Sequence, residues 1–331
     1  MIINSHLITQ ILSLIFFSFI LVKATDITIS ALNKISRLLR VGAFGLAAFL
    51  LALATSLPEL FVCLVSALSG NQKISLGVIL GSNISNISLV IGGAALIGGG
   101  IAIVGDFLRR DIFYAFLAAI LPVVLLLDNT LSRLDGLTLF IAYVGFNYLV
   151  FHGKPHLEQM AKEGNLVRRF FRRLNFKATE KQIGWLFIGI ALLLLAADMV
   201  VKSADYLAQH LRLNPLFVGL VFVAMGTTLP ELSLEAAAIR KKQVSMVFGN
   251  LLGSLVVNST LILGLTAMIQ PVTLDGGLRS YLSGIAIFIF IFGLFWFFVR
   301  SKRRLERWEA GILVLAYLLF VLIEFWQNLG F

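Results

Sequence analysis

Again and again along this chain an apolar stretch continues for about 20 residues or more, the length at which an α-helix crosses the hydrocarbon core of a bilayer. Ten such spans are expected, at about 6–32, 40–69, 74–99, 106–127, 135–151, 183–209, 214–239, 244–269, 280–299 and 308–328. Several exceed the bilayer thickness, so tilt or irregular turns should accompany them. The runs are continuous rather than alternating, which argues against a β-barrel. Composition agrees: 13% of the 331 residues are charged, against about 25% in soluble domains, and mean hydropathy is +0.96. The fold class expected is an all-α polytopic membrane protein. Cys63, the single cysteine, lies inside an apolar run, which excludes a disulfide framework and a cysteine-based metal site. The opening M-I-I-N-S-H has no basic n-region and no small-residue cleavage signal, so the first span reads as a retained helix.

The net charge of +10 does not imply a nucleic-acid partner, because the basic residues sort by connection. Numbering the connections alternately puts Lys34, Arg37, Arg40, Arg109, Arg110, Arg240, Lys241, Lys242 and the cluster from Arg300 to Arg307 on one side. The central linker adds Lys154, Lys162, Arg168, Arg169, Arg172, Arg173, Lys177 and Lys181 to that side. The opposite side holds Lys73, Arg133, Arg212 and Arg279. By the positive-inside rule the first side is cytoplasmic and both termini face out. The expected setting is the plasma (inner) membrane, with lipid and inorganic cations as partners.

A displacement of 172 residues lays one part of the chain on another without a gap. Thr55, Leu57, Pro58, Glu59 and Leu60 fall on Thr227, Leu229, Pro230, Glu231 and Leu232. Gly77, Leu80, Gly81, Ser82, Asn86 and Gly92 fall on Gly249, Leu252, Gly253, Ser254, Asn258 and Gly264. Chance apolar similarity supplies leucines, not a matched Pro-Glu, Gly-Ser and Asn at fixed spacing. Each half then has five spans, an odd number, so the second copy enters the membrane upside down. The expected organisation is a first half at 1–151 with its repeat at about 42–98, a basic linker at 152–182, and a second half at 183–331 with its repeat at about 214–270. Inverted repeats with Gly- or Pro-interrupted helices are a hallmark of secondary transporters, whose sites lie near the midplane.

The duplicated motif has a chemical logic. Proline has no N–H and its ring obstructs the carbonyl four residues back, so Pro58 frees the carbonyl of Ala54 and Pro230 that of Gly226. Non-helical backbone at membrane depth is tolerated only against protein or a wet cavity, and a cation suits such an oxygen. Thr55 and Glu59 share a helix face, as do Thr227 and Glu231, Ser82 and Asn86, and Ser254 and Asn258. Together they make an oxygen-only set, which selects hard cations such as Ca2+ or Na+ rather than Zn2+ or Cu2+. His6, His152, His156 and His210 sit near span ends or in loops, which speaks against a metal role. An intramembrane carboxylate costs about 2.5–3.5 kcal/mol on insertion scales and is functional by default. Lys23, Asp26, Asp198, Lys202 and Asp205 fit a structural role instead, each half carrying Lys and Asp three residues apart near a membrane boundary. Glu235 lies one turn beyond Glu231, where a structural role and a place at the cytoplasmic mouth are both open.

On A-T-S-L-P-E at 54–59, G-T-T-L-P-E at 226–231 and the duplicated G-S-x-x-x-N, the chain resembles the cation/calcium exchanger superfamily, which includes sodium/calcium exchangers. The resemblance implies that Glu59 and Glu231 bind the transported ions. It adds as helpers Thr55, Ser56, Thr227, Thr228, Ser82, Asn86, Ser254 and Asn258, with the carbonyls of Ala52 and Ala224. The chain departs from the family pattern at Ala54, where Gly is usual, at Leu255, where the first repeat has Asn83, and at Asn258, where many relatives carry Asp. The expected activity is secondary antiport of Ca2+ against a monovalent cation, Na+ first, by alternating access, with no cofactor. Ca2+/H+ or K+-dependent exchange is the alternative, and a cation channel fits less well because no pore loop is present. An intramembrane hydrolase would need a paired catalytic Asp or a Ser with His deep in the membrane, and neither constellation occurs.

Overall fold

The computed structural model describes residues 5–38, 52–102, 107–152, 176–240, 244–274, 281–302 and 304–329. Its helices are α1 (Ser5–Leu38), α2 (Leu57–Leu68), α3 (Gln72–Gly98), α4 (Phe107–Leu125), α5 (Arg133–His152) and α6 (Phe176–Leu211). They continue with α7 (Pro215–Phe217, Val218–Val223 and Ala224–Arg240), α8 (Val244–Val256, Val257–Ile262 and Leu263–Ile269), α9 (Leu282–Lys302) and α10 (Arg307–Leu329). Among the described residues seven helices are long and apolar enough to cross a membrane, namely α1, α3, α4, α6, α8, α9 and α10. Counting α7, bent by 42° between Leu229 and Leu234, as one span makes eight. The bend brackets Pro230, a residue with no N–H to donate within a helix. This is a mostly helical integral membrane protein. Residues 39–51, most of the basic linker (153–175) and Lys241, Lys242, Arg279 and Arg303 lie outside the described residues, and with them several positions of the charge pattern.

Both central helices depart from the α-helix at matching places. α3 is π-helical over Asn86–Val90 and α8 over Val257–Ile262. A π turn inserts a residue and lengthens the reach from carbonyl to amide, leaving an i−4 carbonyl short of its usual donor. Ser88 donates its hydroxyl to the Ile84 carbonyl, and Thr260 donates to the Val256 carbonyl at 2.6 Å. At both turns a side-chain hydroxyl thus bonds a carbonyl one turn back. α7 carries a third π segment, Val218–Val223, after Asn214 caps Leu216 N at 3.0 Å and Pro215 starts the helix.

Glycines let these helices touch. A Cβ at Gly81 on α3 would overlap the Leu220 carbonyl of α7 and approach the Ala224 Cβ to 2.7 Å. A Cβ at Gly253 on α8 would stand 2.5 Å from the Cβ of Ala52. The two contacts are reciprocal, since Gly253 follows Gly81, and Ala224 follows Ala52, by 172 residues. Two short antiparallel pairs are related in the same sense: Ile101–Ala102 with Arg304–Leu305, and Thr130–Leu131 with Val272–Thr273.

Two apolar clusters fill the interior. The first gathers Ile74, Ile79, Val200, Phe217 and Val257, and the second Ile84, Leu220, Val256, Phe292 and Tyr317. The boundary between them falls on α3 between Ile79 and Ile84, and on α8 between Val256 and Val257. Ser82, Asn83, Ser254 and Asn258 sit at that seam, so the polar residues of both helices are gathered at one level.

The proposed surface pairs form, with one change of partner. Lys23 lies 4.0 Å from Asp26 and over the Phe19 ring. Lys202 turns back to Asp198 at 2.7 Å, while Asp205 accepts from Gln209 at 2.8 Å. Acid before base at i,i+4 is the better helical orientation.

Candidate cation site

Pro58 enters α2 just after Ser56, whose backbone is a turn (φ −84°, ψ 8°) rather than regular helix. Proline is tolerated in a first turn because its missing N–H has no helical partner there. The break sets Glu59 against Ser82 of α3 and Thr55 against Asn250 and Ser254 of α8, and on α7 Thr227, Thr228 and Glu231 occupy the matching positions of the repeat. All six are buried, as are Ser82, Asn86, Ser254 and Asn258.

The hydrogen bonds repeat across the two halves. Thr55 Oγ1 donates to the Ala52 carbonyl at 3.1 Å, and Thr227 Oγ1 to the Ala224 carbonyl at 3.2 Å. Thr55 also lies 3.5 Å from the Ser254 hydroxyl, and Thr227 lies 3.4 Å from the Ser82 hydroxyl. Ser82 donates to Glu59 Oε1 at 3.3 Å. Ser254 and Asn86 face the Glu231 carboxylate, though neither of its oxygens is in hydrogen-bond geometry. Each half therefore reaches into the other: a threonine from one Pro-Glu helix meets a serine on the opposite central helix.

Several of these oxygens have no hydrogen-bond partner among the described residues: Glu59 Oε2, both oxygens of Glu231, Ser56 Oγ, Asn86 Oδ1 and Asn258 Oδ1. Such groups are rare in folded interiors and costly, at about 1–3 kcal/mol each. The Lys23–Asp26 and Lys202–Asp198 pairs are exposed surface pairs, and no Lys or Arg among the described residues bonds Glu59 Oε2 or either oxygen of Glu231. What converges is a set of carboxylate, hydroxyl, amide and carbonyl oxygens, the donor chemistry of hard cations.

Two details differ from the sequence expectation. The carbonyls of Ala52 and Ala224 already accept from threonine hydroxyls, and Ala224 accepts from Thr228 Oγ1 as well, at 3.0 Å. The Ala52 carbonyl also accepts from the Ser56 amide at 3.1 Å, so both carbonyls already take two hydrogen bonds and would have to give one up to a cation. Three further polar residues also enter the site. Asn83 accepts from Asn258 Nδ2 at 3.3 Å and donates to Ser259 at 2.7 Å. Asn250 Oδ1 lies 2.9 Å from Thr55 Oγ1, sharing that hydroxyl's single proton with the Ala52 carbonyl, and Asn250 Nδ2 lies 3.5 Å from Glu235 Oε1. Asn250 was detectable in principle, since it stands one turn before Ser254 on the same face. His6 and His210 are exposed and take no part, His210 stacking on Tyr206 at 3.7 Å.

The model of the sodium/calcium exchanger protein family matches residues 9–152 and 181–326. The chain belongs to that family of membrane cation antiporters. It is 29% identical over 303 residues to the putative antiporter CaxA of Alkalimonas amylolytica, covering 90% of this chain and 93% of that protein. It is 34% identical over 228 residues to the inner membrane protein YrbG of Escherichia coli, covering 68% and 69%. A solved structure of the sodium-calcium exchanger NCX_Mj, soaked with Na+ and Ca2+, superposes with a TM-score of 0.61 at 25% identity, covering 95% of this chain and 98% of that one.

Proposed function

We propose that the protein is a secondary antiporter that exchanges Ca2+ for a monovalent cation, Na+ first, by alternating access. Its ion site is built on Glu59 and Glu231 with Thr55, Ser56, Ser82, Asn86, Thr227, Thr228, Ser254 and Asn258, and with the Ala52 and Ala224 carbonyls. The observation that carries this reading is the reciprocal pairing of Thr55 with Ser254 and Thr227 with Ser82 around two buried glutamates whose oxygens are largely unpaired. The pairing also supports two inverted five-span halves and ten spans in all. With it go termini outside, a cytoplasmic linker, and location in the plasma (inner) membrane.

The chemistry follows from charge. Two carboxylates balance one Ca2+, or monovalent ions taken in its place. Emptied and ionised, the pair would cross the low-dielectric interior uncompensated, which costs several kcal/mol. Movement of the site is thereby tied to occupancy, and exchange becomes obligatory rather than leaky. No covalent chemistry is involved, and the protein is not an enzyme.

The test is 45Ca2+ uptake into proteoliposomes holding the purified protein, with an imposed Na+, K+ or H+ gradient. Uptake driven by an outward Na+ gradient supports Na+ coupling. Uptake that follows only the H+ gradient assigns Ca2+/H+ exchange, and uptake that needs internal K+ beside Na+ assigns K+-dependent exchange. Uptake without any gradient dependence would contradict antiport.

A further inference from the structure

The two halves differ at several positions of the repeat, and at one of them the second half holds an acid that the first lacks. Glu235 on α7 corresponds to Cys63 on α2, and Asn250 on α8 corresponds to Val78 on α3, each pair 172 residues apart. In the first half the position closes neutrally: Ser75 Oγ donates to the Cys63 carbonyl at 3.1 Å, and the Cys63 thiol lies 3.7 Å from the Ser75 carbonyl. In the second half Glu235 is 1% exposed and its Oε2 has no hydrogen-bond partner among the described residues. Its Oε1 reaches Asn250 Nδ2 at 3.5 Å, the outer limit of a hydrogen bond, and Asn250 Oδ1 in turn lies 2.9 Å from Thr55 Oγ1. A continuous polar thread therefore runs from the central site to Glu235, one helical turn from Glu231 toward Arg240.

Resting on the exchanger reading above, we infer that Glu235 is a further cation position of the transporter, one that takes a single monovalent cation. A carboxylate buried at this depth is carried only when a positive charge neutralises it, and Asn250 supplies one long amide contact and no charge. Among the described residues the polar and charged groups that act on Glu235 are Glu231, one turn back on its own helix, and Asn250 on α8. Lys23 and Asp26, on the neighbouring α1, pair with each other at the exposed surface. A divalent ion would need several oxygens about Glu235, and this corner offers its carboxylate and an amide whose oxygen is engaged by Thr55. A sodium ion or a proton needs far less. With Glu59 and Glu231 set to balance Ca2+, Glu235 adds a third formal charge to a site whose position 258 is an amide, so one more monovalent cation is linked to each cycle than the two central glutamates require.

The experiment uses the full chain, purified in detergent, as wild type, Glu235→Gln and Glu235→Asp. Displacement of bound 45Ca2+ is titrated with Na+ at fixed pH, and separately with protons in Na+-free buffer. The thermal midpoint of Ca2+-free protein is followed over the same two titrations. If Na+ occupies Glu235, the slope of Na+ displacement falls by about one in Glu235→Gln, because one fewer cation is linked to Ca2+ release, and Na+-dependent stabilisation shrinks. If a proton occupies it, the Na+ curves coincide and the loss appears in the proton titration. Glu235→Asp keeps the charge but draws it away from Asn250, so it should shift the midpoint at unchanged slope, and it serves where the Gln variant does not fold. Curves that coincide with wild type in both titrations overturn the inference. So does a folded Glu235→Gln that no longer binds Ca2+, which would make Glu235 a Ca2+ ligand. A wild type that binds no Ca2+ would refute the exchanger reading instead, and the thermal titrations would still decide Glu235.

Discussion

One methyl group, added at either of two matched glycines, should affect the two halves unequally. Carbon atoms in contact settle at about 3.5–4.0 Å, and a Cβ at Gly253 would stand 2.5 Å from the Ala52 Cβ. The helices must therefore part by about 1 Å, an overpacking of the kind that costs about 1–3 kcal/mol. At Gly81 the added atom meets the Leu220 backbone carbonyl as well as the Ala224 Cβ, and backbone within a packed helix cannot turn aside. Gly81→Ala should be the worse change, at about 3 kcal/mol or more. The compensating substitutions separate the two cases. Among the described residues the Ala52 Cβ is what stands in the way of Gly253→Ala, so the double variant with Ala52→Gly should recover to within the roughly 1 kcal/mol that a helical Gly itself costs. Ala224→Gly leaves the Leu220 carbonyl in place and should rescue Gly81→Ala poorly. Thermal midpoints in detergent and 45Ca2+ flux in proteoliposomes read both, since parted helices also pull Thr55 from Ser254 and Thr227 from Ser82. Equal rescue at the two sites, or a harmless Gly253→Ala, would refute the close-packing argument.

Further outcomes follow from the same geometry. Thr260→Val, which removes the hydroxyl that satisfies the Val256 carbonyl at 2.6 Å, should cost about 1–3 kcal/mol, seen as a lower thermal midpoint; Thr260→Ser should restore it. Asn258→Asp adds a protonatable group to the site, so protons should compete with Ca2+ and flux should fall more steeply with acid than in wild type; superimposable pH curves would put position 258 outside the site. In a Cys63→Ala background, single cysteines at 110 and 241 should resist a membrane-impermeant thiol reagent applied to intact cells; ready labelling would reverse the orientation proposed here.

Much of this was legible because the motif is written twice. A duplicated Pro-Glu with Thr four residues before Glu, and Gly-Ser with Asn four residues after Ser, identifies the helices and faces that gather at the site. The π turns were not visible, since one extra residue in a buried helix leaves no mark on an apolar pattern; Ser88 and Thr260 were their only trace. The partnership of Thr55 with Ser254 and of Thr227 with Ser82 depends on how helices of opposite halves cross, which no local period encodes. The choice of Asp198 over Asp205 by Lys202 was open at the level of spacing, and orientation along the helix decided it. Asn250 escaped notice because the repeat comparison rewards matched residues, and its counterpart is Val78. The asymmetry that hid it is also what sets Glu235 apart.

The most direct test of the account is coupled counterflow, 45Ca2+ entering as 22Na+ leaves, in proteoliposomes containing wild type, Glu59→Gln or Glu231→Gln at matched protein content. At about 4 Å and an effective dielectric near 20, each unit charge contributes on the order of 4 kcal/mol per unit of ion charge. Neutralising one glutamate should therefore lower Ca2+ affinity by well over a hundredfold while leaving a folded, inserted protein. The account predicts that both variants lose both fluxes together. Near-normal counterflow in either one would contradict it.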